Sequence, residues 1–228
     1  MKRWSEYRLA MNLVPSGPLK PRLRGVLHEY AFFVSLFCGV ALILAASDGR
    51  ARLAATIYAV AVSGLLGTSA LYHRVTWRPS TRRWMRRLDH SMIFVLIAGT
   101  YTPVALLALK GSLASTVLIV LWAGALGGVL FKLLWLDAPK WLFAAVYVAL
   151  GLVTAAVFGE LPAAIGWLGA AGLASGGLLY VVGAIVYASG RPNPWPKVFG
   201  YHEVFHALVI AAAALQYAVI AFAVLPRG

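Results

Sequence analysis

Seven apolar stretches, each bounded by charged residues, Gly or Pro, divide this chain of 228 residues. They fall at about 28–47, 53–73, 89–109, 113–135, 141–158, 166–189 and 202–225. A transmembrane helix needs about 20 apolar residues, so seven spans use roughly 140. The chain is 61% hydrophobic and only 12% charged, which is more apolar side chain than one soluble core of this size buries. The pattern excludes an ordinary soluble domain, a disordered chain and a nucleic-acid-binding module. It predicts an all-α fold class: a polytopic membrane protein built as a seven-transmembrane-helix bundle.

The net charge of +13 does not imply a nucleic-acid partner, because Lys and Arg cluster between the apolar runs. Sixteen of the twenty lie in the N-terminal arm, the second-to-third and sixth-to-seventh connections and the fourth-to-fifth region. The other four are Arg50, Arg52, Lys110 and Arg227. The positive-inside rule then puts the N-terminus in the cytoplasm, the C-terminus outside, and anionic lipid against the cytoplasmic face. The expected location is the cell's inner (plasma) membrane. Residues 1–21 lack an apolar stretch long enough for a secretory signal. Residues 1–25 read as a basic cytoplasmic arm made irregular by Pro15, Pro18 and Pro21, and 26–228 as the membrane domain. Cys38, the single cysteine, lies in an apolar run and implies no disulfide. Pro103 is expected to kink or open the third helix. Gly64, Gly67, Gly128 and Gly176 are among the small residues that let helix backbones approach.

Ionisable groups at membrane depth are costly, so each is a functional candidate. Ser69 and His73 are four apart at the end of the second span and share a face. Asp89 opens the third span. His202 and His206, also four apart, open the seventh. The predicted orientation brings all five to one cytoplasmic end. Three neutral imidazoles plus a water form the ligand set of a catalytic zinc site. A lone His at a helix end is more often an interfacial residue, and His28, beside Glu29, is read that way. His90 follows Asp89 by one residue and points about 100° away around the helix, which makes it the chief competitor as a ligand. His202 to His206 also matches H-E-x-x-H, a motif whose Glu is the general base of metalloproteases. Glu203 would serve equally as a first-turn carboxylate favoured by the helix dipole, and the structural role is preferred.

Other seven-helix functions fail on chemistry. A retinal pump needs a Schiff-base Lys in its last helix, and the seventh span has none. A channel needs polar residues spread along several helices, whereas the outer half here is almost purely apolar. Gln216 and Thr154 read as makers of interhelical hydrogen bonds.

Four segments carry a family resemblance. They are Lys20-Pro-Arg-Leu-Arg-Gly-Val-Leu-His28, Ser69-Ala-Leu-Tyr-His73, Leu88-Asp-His-Ser-Met-Ile-Phe94 through Ala98-Gly-Thr-Tyr-Thr-Pro103, and Gly200-Tyr-His-Glu-Val-Phe-His206. Together they resemble the hemolysin III family, the bacterial branch related to the progestin and adipoQ (adiponectin) receptors. The resemblance runs from about residue 20 to 225, and its specificity lies in the combination of motifs. It implies that His73, His202 and His206 bind Zn2+. It implies that Asp89 holds the metal's water and that Ser69 sits nearby, holding substrate or water. The receptor branch commonly has Tyr at the position of His90 and Gln at that of Glu203, which speaks against an obligatory ligand and against a protease-like base. The long cytoplasmic domain of the eukaryotic receptors has no counterpart here, so adiponectin recognition is not expected.

The superfamily's alkaline ceramidases make a zinc-dependent membrane hydrolase the leading expectation. Its substrate would be a membrane lipid, cut at an amide or ester, with Asp89 and Ser69 catalytic. A hemolysin III-type cytolysin or pore former is the first alternative, although the spans lack a polar pore-lining face. A non-catalytic zinc-containing membrane sensor or regulator is the second.

Overall fold

The computed structural model describes residues 20–227, without the side chain of Thr154. Most of the predicted basic arm, and the side chain of Thr154 as a hydrogen-bonding group, therefore lie outside the described residues. Seven helices are long and apolar enough to cross a membrane, and no β-strand occurs among the described residues.

We number them in chain order. Helix α1 is Val26–Leu44, α2 is Gly49–Arg74, and α3 is Pro79–Pro103 continuing through a π-helical turn at Val104–Ala108. Helix α4 is Gly111–Leu134, and α5 is Lys140–Leu152 with a final 3₁₀ turn at Val153–Val157. Helix α6 is Leu161–Ser189, and α7 is Tyr201–Val219 extended by irregular turns to Arg227.

The ends of these helices follow local chemistry. Asp48 caps α2, its Oδ1 accepting from the Ala51 N–H at 2.7 Å. Pro79 sits in the first turn of α3, where the missing N–H costs nothing. That helix starts ten residues before Asp89, because its basic, exposed first turns lie outside the apolar run that marks the span. Pro103 is followed by the widened turn rather than a break, as expected where a proline removes one rung of the ladder. Gly166 has φ 77°, so α6 changes direction there and begins earlier than its predicted span.

Successive helices pack side by side, α1 on α2, α2 on α3, α3 on α4 and α6 on α7, and α1 also meets α7. The largest buried cluster joins α3 to α7 around Phe94, Leu121, Phe143, Leu161 and Leu173. Polar side chains stitch the interior. Tyr58 Oη donates to the Ala213 carbonyl at 3.2 Å, and Gln216 Nε2 donates to the Leu173 carbonyl at 3.1 Å, the interhelical role expected of that glutamine. Lys132, counted among the basic residues of the fourth-to-fifth region, lies in the last turn of α4 and is buried. Its Nζ donates to the Leu136 carbonyl at 2.9 Å and lies 3.5 Å from the centre of the Phe143 ring.

One end of the bundle is closed by chain rather than by helix. The strip before α1 pairs with the α6–α7 connection, with Arg22 N donating to Lys197 O and Leu23 N to Val198 O. Gly25, at φ 82°, then turns the chain into α1 directly against the Cβ of His73, a path that a side chain would obstruct. Lys20 donates to the His73 carbonyl. Partial burial, and the nearby Arg82, Arg24 and Arg74, hold its ammonium below the usual lysine pKa.

Candidate metal centre

Beneath that closure two helix ends meet. His73 comes from the last turn of α2, and His202 and His206 from successive turns of one face of α7. All three are buried, and one ligand nitrogen from each lies within 4.8 Å of the other two. The closest pair is His202 Nε2 and His73 Nε2, 3.1 Å apart. Two nitrogens at about 2.0–2.1 Å from a tetrahedral zinc would be about 3.3 Å apart. The spacing therefore fits a shared metal, as does the chemistry of the set, three buried imidazoles. His206 Nδ1 is buried without a hydrogen-bond partner.

Asp89 stands beside this cluster. Its Oδ2 lies 3.8 Å from His73 Nε2 and 3.8 Å from His90 Nε2, and Ser69 hydrogen-bonds its carboxylate. The residue is buried. At 3.8 Å the carboxylate lies within ion-pair reach of His73 but makes no hydrogen bond to it. His90 faces Asp89 rather than the three-histidine group, so the structure brings together His73, His202 and His206 and leaves His90 to one side.

Glu203 is oriented away from the cluster by two partners. Its Oε2 accepts from the Gly200 N–H at 2.8 Å, closing the first turn of α7, and Arg24 binds its other oxygen. A carboxylate so engaged caps the helix. This is the structural role the dipole argument favoured.

His28 departs from its reading as an interfacial anchor. It is 2% exposed, and its ring stacks on that of His206 with centroids 3.7 Å apart and planes 4° from parallel. Gly25 and the strip pairing with Lys197 and Val198 draw the start of α1 inward. No periodicity in the sequence marks this, because α1 is apolar on every face.

A cavity of about 560 Å³ opens from the cluster into the bundle. Asp89, Ser69, His202 and His206 line one end; Phe158, Leu161 and Gln216 line the other, and the walls between are mostly apolar. The volume falls within the range of pockets that enclose a small-molecule ligand.

The chain matches the family model described as Haemolysin-III related over residues 17–217. It is 31% identical over 206 residues to Hemolysin-3 of Bacillus cereus, covering 89% of this chain and 91% of that protein. It is 35% identical over 167 residues to the Hemolysin-3 homolog of Bacillus subtilis (strain 168), covering 73% and 75% respectively. The monocyte to macrophage differentiation factor of Homo sapiens is 29% identical over 196 residues, covering 83% and 79%.

Proposed function

The chain belongs to the haemolysin-III related family, and we propose that this integral membrane protein is a zinc-dependent hydrolase that cleaves an amide or ester bond of a membrane lipid. The observation that carries the reading is the junction of two features. Of three buried histidines that could hold one metal, His202 and His206 line a largely apolar cavity of about 560 Å³. A structural metal needs no such cavity, and a simple lipid pocket needs no imidazole cluster.

Zinc held by His73, His202 and His206 would supply a Lewis acid and an activated water at neutral pH. The remaining work falls to the chain's own groups. Asp89 takes a proton at its carboxylate, and Ser69, hydrogen-bonded to it, fixes its orientation and offers a hydroxyl to the reacting carbonyl. His28 holds the plane of the His206 ring by stacking. The apolar walls bind the chain of the lipid and keep bulk water from it. By the positive-inside rule the basic connections at the histidine end make that side cytoplasmic; it faces anionic lipid and receives its substrate laterally from the plasma membrane.

The name of the Bacillus cereus relative, Hemolysin-3, favours a second reading, a cytolysin. A pore former needs a continuous polar face, and the walls of this cavity are mostly apolar, so lysis would follow from lipid turnover instead. Reconstituted protein assayed on a short-chain fluorescent ceramide and on the corresponding ester tests the proposal. Wild type releases fatty acid and Asp89→Asn does not. Release that is absent in wild type, or undiminished in Asp89→Asn, rejects it.

A further inference from the structure

Deep in the cavity, away from the histidines, three polar side chains lack the partners their neighbours have. Thr100 Oγ1, Tyr180 Oη and Gln216 Oε1 are each buried with no hydrogen bond, and all three residues line the cavity. Thr100 and Gln216 are 3% and 1% exposed. Buried polar groups are ordinarily satisfied, and leaving one unpaired is costly.

Adjacent residues show that local bonds were available. Thr102 donates to the carbonyl of Ala98, four residues back, at 2.8 Å; Thr100 makes no such bond. The hydroxyls of Tyr58, Tyr147 and Tyr217 each donate to a backbone carbonyl, those of Ala213, His90 and Cys38; that of Tyr180 does not. Gln216 satisfies its amide through Leu173 while its oxygen stays free.

The three belong to α3, α6 and α7; helix geometry puts Thr100 and Gln216 at a common depth and the Cα of Tyr180 about two turns nearer the histidines. Thr100 is eleven residues beyond Asp89 and Gln216 ten beyond His206, which at 1.5 Å per residue is about 15–17 Å. Gln216 contacts α6 at Leu173, two turns before Tyr180, and the tyrosine side chain leans toward that N-terminal end of its helix. An extended hydrocarbon at about 1.3 Å per carbon covers the distance from the metal centre in roughly a dozen carbons.

We propose that Thr100, Tyr180 and Gln216 form a second polar subsite that recognises an oxygen-bearing group, a hydroxyl in the simplest case, near the middle of the acyl chain whose head lies at the histidine cluster. A ligand hydroxyl donates to Gln216 Oε1 and accepts from Tyr180 or Thr100, whereas a plain methylene chain satisfies none of them. The inference rests on the cavity holding an acyl chain, as the hydrolase reading requires, but not on turnover.

Displacement of the fluorescent fatty acid cis-parinarate from purified full-length protein tests it, with stearate, 2-hydroxystearate and 12-hydroxystearate as competitors. The expected result is that 12-hydroxystearate displaces the probe about tenfold better than the other two acids. Tyr180→Phe, Thr100→Val and Gln216→Leu, near-isosteric changes, each lower that preference, and stearate competes as well as before or better. Equal competition by stearate and 12-hydroxystearate, as expected if the subsite only hydrates, overturns the inference and leaves the acyl-chain reading standing. A preference that survives all three substitutions also overturns it. If no acid displaces the probe, or the probe does not bind, the acyl-chain reading falls and takes the inference with it.

Discussion

The His28 and His206 rings lie face to face, 3.7 Å between centroids and 4° from parallel. The stack links the first helix to the last at the point where α7 presents its second candidate metal ligand, so the orientation of that ligand depends on α1. Groups that orient a metal-ligating imidazole typically account for about 10–100-fold in metal affinity. His28→Ala should weaken zinc retention by that factor in competition with a chelator, whereas His28→Phe, which keeps a flat ring, should recover most of it. Equal zinc affinity in wild type and His28→Ala would show that the stack has no part in the site.

Asp89 and Glu203 separate two mechanisms. With Asp89 as the base, Asp89→Asn keeps the metal and loses about 10²–10⁴-fold in rate. Glu203→Gln retains a side chain that can accept from the Gly200 N–H, so its loss is confined to the pairing with Arg24 and turnover changes little. In a protease-like arrangement the order reverses. Initial rates and zinc content measured on the same preparations distinguish the two.

Much of this was legible in the sequence. Seven apolar runs announce seven helices, because length and hydropathy alone specify a span. The four-residue spacings Ser69–His73 and His202–His206 place each pair on one face. What was not legible depends on tertiary packing. The burial of His28 comes from the turn at Gly25 and from backbone pairing with the α6–α7 connection, which no pattern within α1 encodes. Lys132 lies within the fourth apolar run, but nothing in that run shows that its ammonium folds back onto Leu136 and Phe143 inside the bundle. Thr100, Tyr180 and Gln216 are polar residues on three different helices, and the cavity they share is visible only once the helices are packed.

Packing between α3 and α4 gives a stability prediction. A Cβ on Gly128 would overlap the ring of Phe94, itself 0% exposed, whereas one on Gly127 meets nothing within 4 Å. Gly128→Ala should therefore destabilise the protein by about 1–3 kcal/mol, the usual cost of overpacking a tight interior. Gly127→Ala should be neutral or slightly stabilising. Thermal unfolding of the two variants in the same detergent compares them directly.

Topology is open to an equally direct check. Reporter fusions after Arg78, in the connection between α2 and α3, should be cytoplasmic and fusions after Arg227 extracytoplasmic, following the sixteen-to-four division of Lys and Arg. The reverse pattern would put the histidine cluster on the outer face and remove the proposed delivery of substrate from the inner leaflet.

The central claim is that His73, His202 and His206 hold zinc, and metal analysis of purified protein tests it most directly. Emission spectrometry on protein prepared without chelators should find about one zinc per chain in wild type. His73→Ala, His202→Ala and His206→Ala should lose it and unfold at lower temperature, since binding to the folded state adds to stability. Wild-type protein that carries no stoichiometric metal, or His206→Ala that carries as much zinc as wild type, would contradict the account.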